Sequence, residues 1–376
     1  MEFNILQYLP ENIRIRIDND IRKMFFEGKS VTNWSKVLNI SLKNSSRYIN
    51  GTRSISLILL KRLIGLTKAD IDKLQNKIEF KIGKSGSYHR IGPSIDIDKN
   101  WVYISELING DGHIPLSFWQ IVFVNKNEEL INYVKNFFLT QGIREDQMTL
   151  IKREDANFIV IRAAVLAHIF NKILKVSAGK KMELTIPNFV MQNKNLSIAA
   201  VKGAFDSEGS VTFSGSRRIS ISSNSKNWLN QIKQVLENLR ISSTILEDKS
   251  KRKVPIYRIF IYKKSNLEKF LTIINPLHTK RKEKLKEILN NYTRNPSREF
   301  HKKILLSIQK GNIRKRDISK DLNLKLVITQ NNINWLKKKQ YIFAYEKIIT
   351  NEGGYHKYKI TSKGKDYLNK SLSFFD

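Results

Sequence analysis

Two stretches of this chain carry the same succession of elements, and an internal duplication restricts the fold more than any composition does. The first opens with WVYISELINGDGHI at Trp101 and the second with AAVKGAFDSEGSVTF at Ala199. Each starts with an apolar segment of helical spacing that ends on Gly. Alternating residues then mark strands, as in RRISISSNS, where Arg218, Ser220 and Ser222 share one face and Ile219 and Ile221 the other. A helix follows in each copy (NEELINYVKNFFLTQGI, NWLNQIKQVLENLRI), then a strand pair (MTLIKRE with NFIVIRAA, STILED with IYRIFIYKK) and a closing helix. The order αββαββα twice over predicts an α+β, pseudo-twofold duplicated core, with repeats at residues 99–195 and 196–295.

Small residues one turn apart, Gly203 and Ser207, let the opening helices of the two copies approach closely. Each helix ends on an acid, Asp111 in one copy and Glu208 in the other, 97 residues later. Packed as a pair, the helices bring these two acids side by side at the bottom of a saddle made by the two sheets. Adjacent carboxylates repel unless cations neutralise them, and Mg²⁺ or Mn²⁺ suits oxygen ligands of this kind.

The phrases ISELINGDG and VKGAFDSEG resemble the two LAGLIDADG motifs of single-chain homing endonucleases, and the matching element order spans roughly residues 100–292. The resemblance implies metal ions that activate water and stabilise the leaving 3′ oxygen on both DNA strands. It offers the backbone carbonyls of Gly110 and Ser207 as further ligands, and it implies a Lys near the cleft. Lys280 in NPLHTKRKEKL and Lys180 or Lys181 in SAGKKMEL fit that place, although each segment reads equally well as a solvated basic face. Two positions depart from the pattern: Asn109 stands where the motif has its first Asp, and Glu106 stands where a small residue packs, which would hold the helices further apart. Gln120, Arg162, Arg218, Ser220, Arg258 and Tyr262 are expected to reach the major groove from the strands. His113 has no second His at ligand spacing and reads as a turn or DNA contact.

Both flanks read as small modules. Within residues 1–77, VTNWSKVLNISLKNSSRYING gives a helix, a tight turn at Asn39 and Ile40, and a second helix exposing Lys43, Asn44, Ser46 and Arg47. It resembles the helix-turn-helix of Cro and phage repressors; a three-helix packing module is the plainer reading. Residues 78–98, with Gly83, Gly86, Gly92 and Pro93 among basic residues, read as a linker. Residues 296–376 read as three helices and a hairpin, resembling a winged helix. Thr329, Gln330, Asn332 and Asn334 would then face bases and Lys347 and Lys357 phosphate, unless the module docks a protein instead.

Charge selects among partners. Lys and Arg number 67 against 34 Asp and Glu, a net +33, which draws polyanions. The absence of Cys excludes disulfides, thiolate zinc sites and Cys nucleophiles. No run of about 18 apolar residues exists, and the opening MEFNILQYLPENIR lacks signal-peptide order, so a cytoplasmic, nucleoid-associated monomer is expected, with double-stranded DNA as partner and no membrane or small-molecule cofactor. The expected function is site-specific DNA endonuclease. The alternatives are a transcription regulator keeping an inactive LAGLIDADG core, and a maturase that binds structured RNA.

Overall fold

The computed structural model describes residues 1–11, 13–75, 77–81, 88–180, 183–213, 217–248, 254–290, 297–350 and 353–369. Two compact units divide the chain, Met1–Asn290 and Asn291–Asp376.

The first unit opens with β1 (Glu2–Asn4), β2 (Arg14–Ile17), α1 (Asn19–Phe26), α2 (Val31–Leu38), α3 (Leu42–Ile49), β3 (Ile55–Ser56), α4 (Leu57–Thr67), β4 (Ile78–Lys81), β5 (His89–Arg90) and β6 (Ser94–Asp96). Ser30 and Ser41 cap α2 and α3 by accepting the N–H groups of Asn33 and Asn44. Asn39 takes the left-handed conformation (φ 50°) that turns the chain between them. The buried Ser45 donates to the Val31 carbonyl and Trp34 Nε1 to the Phe26 carbonyl, locking the helices together.

The stretch 78–98 is not a linker where it is described. β4 and β5 join β2 and β3 in a sheet of order β3-β2-β4-β5, and β6 pairs with β1. Ile78, Phe80, Ile91, Ile95 and Ile97 are buried. Ile78 and Phe80 alternate with Glu79 and Lys81, and Ile95 and Ile97 with Ser94 and Asp96, so burial on the core-facing side decides the outcome and not the glycines and basic residues that suggested a linker. Gly83 and Gly86 lie outside the described residues.

The first repeat runs α5 (Lys99–Asp111), β7 (Gly112–His113), β8 (Ile121–Asn125), α6 (Glu128–Thr140), β9 (Met148–Lys152), β10 (Asn157–Ile161) and α7 (Ala164–Lys172), and α8 (Asn188–Gln192) leads onward. The second runs α9 (Lys194–Glu208), β11 (Gly209–Thr212), β12 (Arg218–Ser223), α10 (Lys226–Asn238), β13 (Ser243–Asp248), β14 (Ile256–Ile261), α11 (Lys264–Lys269) and α12 (Thr279–Asn290). The sheets have the same antiparallel order, β7-β8-β10-β9 and β11-β12-β14-β13. The duplicated αββαββα core is thus present, built around α5 packed on α9. Both helices are buried nearly all round, polar residues included, as helices enclosed between two sheets must be. No helix among the described residues is long and apolar enough to cross a membrane.

The second unit holds α13 (Ser297–Gln309), α14 (Lys315–Asp321), α15 (Leu326–Lys338), the hairpin β15 (Ile342–Thr350) and β16 (Gly353–Ile360), and α16 (Ser362–Asn369). Its own core gathers Ile304, Leu305, Ile318, Ile333, Leu336 and Tyr358. Thr329, expected to face bases, is fully buried, because it lies on the α15 face that carries Ile333 and Leu336.

Candidate active site and nucleic-acid interface

The carboxyl ends of α5 and α9 meet. Asp98 caps the start of α5 and Asn193 that of α9, each accepting two backbone N–H groups. Close approach follows from the small residues. A Cβ on Gly203 would fall 2.6 Å from the Tyr103 carbonyl oxygen and 2.8 Å from Glu106 Cβ, while one on Gly110 would fall 2.2 Å from Ser207 Oγ and 3.2 Å from Glu208 Cγ. Residues related by the 97-residue repeat, 106 with 203 and 110 with 207, therefore face each other, as equivalent points must beside a twofold axis. Glu106 does not hold the helices apart, since Gly203 opposite it leaves the room.

Asp111 and Glu208 end these two helices, and both are partly exposed. Asn125, on β8, donates its Nδ2 to Asp111 Oδ2 at 2.7 Å. The two acids share a cation that the sequence reading missed, Arg281 in α12. Its guanidinium donates to the carbonyls of Phe205 (2.7 Å), Asp206 (2.6 Å) and Ser207 (3.0 Å), closing the end of α9. Burial pulls its pKa down, and the charges of Asp111, Asp206 and Glu208 oppose that fall. Lys280, one residue earlier, is exposed. Lys180 is exposed as well, and Lys181 lies outside the described residues. The helical position after Lys280 could have been weighed in its place, because consecutive residues point about 100° apart.

The acid two residues before Glu208 is structural. Asp206, fully buried, accepts from Tyr103 Oη (2.9 Å), Leu277 N (2.8 Å) and His278 N (3.1 Å), tying the second motif to the first repeat and to the segment before α12. Burial raises its pKa, and these donors hold it down in part. Asn109 stands at the equivalent point and accepts from Ser177 N at 3.4 Å, so an amide serves where the first repeat supplies fewer donors.

Glu106 is buried on the axis and accepts from Trp228 Nε1 of the second repeat at 2.7 Å. Burial pushes its pKa up to about 7, against the lowering effects of Trp228 and Asn109. Among the described residues its Oε1 and Asn109 Nδ2 have no partner at hydrogen-bond length. Asn127 Nδ2 and His278 Nδ1, 3.1 Å apart, form another contact between the repeats.

The outer sheet faces differ. In the second sheet the register pairs Ser220 with Phe260 and Ser222 with Arg258, leaving Ile219, Ile221, Ile259 and Ile261 on the buried side. Arg218 stands over the Phe260 ring at 4.7 Å, Phe260 stacks with Tyr262, and Arg258 pairs with Asp248 at 3.0 Å. Arg218, Ser220, Arg258 and Tyr262 thus occupy one face, but Ser220, expected to reach the groove, is buried there beside Phe260, because the larger side chains around it cover its short one. Val122 and Val124 pair with Val160 and Phe158 on the outer face of the first sheet, and the polar Gln120 and Arg162 flank the Ile121–Ile161 pair at its end. His113 is exposed on β7, next to the motif.

On the flanks, Lys43 and Arg47 are exposed on α3, Ser46 is half-buried, and Asn44 accepts from Arg53. On α15, Asn334 is exposed and accepts from Gln330 at 2.8 Å, while Asn332 donates to the Ile328 carbonyl. Lys347 is exposed on β15, and Lys357 is paired with Glu346 at 2.8 Å.

The donor set fits a hard divalent ion in kind. Among the described residues no group of three or more His, Asp or Glu gathers, so a metal would draw on the Asp111 and Glu208 carboxylates, backbone carbonyls, water and a phosphate. The Ser207 carbonyl already accepts from Arg281, which leaves one lone pair for any ion.

A duplicated core whose two central helices end on facing acids defines the LAGLIDADG class of fold. The family model described as a LAGLIDADG-like domain matches residues 195–275, most of the second repeat. Among solved structures, the chain is similar to the homing endonuclease I-DmoI in complex with DNA and Mn (19% identity, 47% of this chain and 96% of that one, TM-score 0.37). It is similar also to I-DmoI in complex with DNA and Ca (20% identity, 46% and 88%, TM-score 0.37). Full-length DUF199/WhiA from Thermatoga maritima is similar over 65% of this chain and 93% of its own length (14% identity, TM-score 0.37). No curated protein matches in sequence.

Proposed function

We propose that this chain is a site-specific endonuclease that binds double-stranded DNA across its duplicated core and hydrolyses phosphodiesters with Mg²⁺ or Mn²⁺. The observation that carries the reading is the meeting of the α5 and α9 ends, with Gly110 against Ser207 and Glu208 and with Arg281 in the field of both acids. One acid from each repeat at a shared, partly exposed point suits a cut on both strands close to a twofold axis.

Asp111 and Glu208 would hold the metal, with the Gly110 and Ser207 carbonyls as further ligands. The bound ion would supply activated water and a counter-charge for the leaving oxygen. Asn125 fixes the rotamer of Asp111 through its 2.7 Å hydrogen bond. Arg281 fixes the end of α9 and places positive charge where phosphate would come to rest, a role the resemblance gave to Lys280 or Lys180. The sheet residues Gln120, Arg162, Arg218, Arg258 and Tyr262 would read the major groove. Lys43, Asn44, Ser46 and Arg47 on α3, and Gln330, Asn332, Asn334, Lys347 and Lys357 in the second unit, would extend the site as helix-turn-helix and winged-helix contacts.

The test is incubation of the chain with Mg²⁺ or Mn²⁺ and a library of randomised duplexes, read by sequencing of ends. Double-strand breaks with short 3′ overhangs are expected at one recurring sequence, and they should disappear in Asp111→Asn and Glu208→Gln. Retention of a specific sequence without cutting would replace the nuclease by a regulator.

A further inference from the structure

The N-terminal sheet carries a cluster of cations to which none of the roles above is attached. Arg14 and Arg16 alternate along β2 with the buried Ile15 and Ile17, so both stand on the exposed face. The register sets Lys81 beside Arg14, Glu79 beside Arg16, and Arg90 beside Glu79. The Arg16 guanidinium lies over the Tyr88 ring at 3.9 Å, and Lys81 Nζ lies 5.4 Å from the same ring. Glu79, the acid on this face, is paired with Arg90 at 3.3 Å, and Arg90 also holds Asp18 at 3.1 Å. Arg14, Arg16 and Lys81 are left without a carboxylate partner among the described residues. Stacking on Tyr88 removes part of the side-chain freedom that a cation loses on binding an anion.

This sheet is fixed to the first repeat. His89 of β5 approaches Gln147 Nε2 at 3.5 Å, just ahead of β9, the outermost strand of the first core sheet. A Cβ on Gly142 would lie 2.9 Å from the Arg90 carbonyl, and α7 packs against β4. The sheet therefore meets the first repeat through its buried side, next to the outer strand of the core sheet that would lie on one half of the DNA site, and its basic side is turned outward there.

We propose that the Arg14, Arg16, Lys81 and Tyr88 face binds the phosphate backbone of duplex DNA flanking the half-site under the first repeat. The inference rests on the reading of the core as a duplex-binding surface and adds a contact that α3 does not supply. Cations spread on a sheet face and stacked on a ring, not projected from an element that fits the groove, contribute affinity and position but no base reading.

The test measures binding of the full chain to a labelled, mixed-sequence 40-bp duplex (a length of about four helical turns) over a range of KCl concentrations. Three variants are compared with the wild type: Arg14→Ser/Arg16→Ser/Lys81→Ser, the charge-keeping Arg14→Lys/Arg16→Lys, and the core control Arg162→Ser/Arg218→Ser. Each lost phosphate contact lowers the slope of log K against log salt by about 0.9, so the triple variant should lose about 2 to 3 from the slope. The Lys variant should keep the wild-type slope, which excludes a folding defect as the cause. A triple variant with the wild-type slope, while the core control loses slope, would overturn the proposal and leave the core reading standing. Failure of the wild-type chain to bind the duplex at all would overturn both. A single-stranded 40-mer that competes better than the duplex would overturn it too, by making the face a stacking platform for unpaired bases.

Discussion

Glu106 is the residue whose behaviour follows most directly from its surroundings. A carboxyl held at about 7 in the fold ionises near its ordinary value of 4.5 when unfolded. Between those values the folded state binds more protons, so stability is full below about pH 4.5 and declines as pH rises towards 7, by roughly 3 kcal/mol. Glu106→Gln keeps an acceptor for Trp228 Nε1 and removes the charge. Its melting temperature should exceed the wild type's at pH 8 and approach it at pH 5; a difference independent of pH would contradict the assignment. Arg281 is the opposite case, a cation that satisfies three carbonyls at the end of α9. Arg281→Met should cost about 2–3 kcal/mol in denaturant unfolding, since buried acceptors lose a charged donor, and Lys280→Met, at an exposed position, should cost less than about 0.5 kcal/mol.

At the scale of elements, the contact between α5 and α9 depends on single missing methyl groups. Gly203→Ala forces a Cβ within 2.6 Å of the Tyr103 carbonyl, and a loss of about 1–3 kcal/mol is expected. Gly65, in α4 with nothing within 4 Å of its would-be Cβ, should instead gain about 0.5–1 kcal/mol as Ala. Equal effects at both sites would dismiss the close-approach explanation. The small residues at 203 and 207 and the repeated order of elements were legible in the sequence because they are local and periodic. The first sheet's outer face was not. Val122, Val124, Phe158 and Val160 alternate with Ile121, Phe123, Ile159 and Ile161, and a strand apolar on both faces gives alternation nothing to choose between. Strands β4, β5 and β6 were hidden for a related reason: two to four residues each, β4 and β6 gain their stability from pairing with β2 and β1, which lie far away in sequence, and β5 from pairing with β4 once that strand is in place. Arg281 escaped notice among four neighbouring basic residues, since only the fold tells which of them turns inward.

For the whole molecule, the net charge of +33 and the meeting of one acid from each repeat pull in opposite directions. The charge gathers polyanion everywhere on the surface, while the two acids create a single negative point that only a cation can bring against phosphate. Non-specific DNA affinity should therefore fall by orders of magnitude between about 50 and 200 mM KCl, as electrophoretic or anisotropy titrations would show. Cutting should depend on metal at every salt concentration. The central claim is that Asp111 and Glu208 form one site and not two. Titration of the chain with Mn²⁺, followed by the paramagnetic resonance signal of the free ion, tests it without need of a target sequence. The wild type should bind Mn²⁺, and Asp111→Asn and Glu208→Gln should each abolish the same binding. Retention of the wild-type binding in either single variant would contradict a shared site.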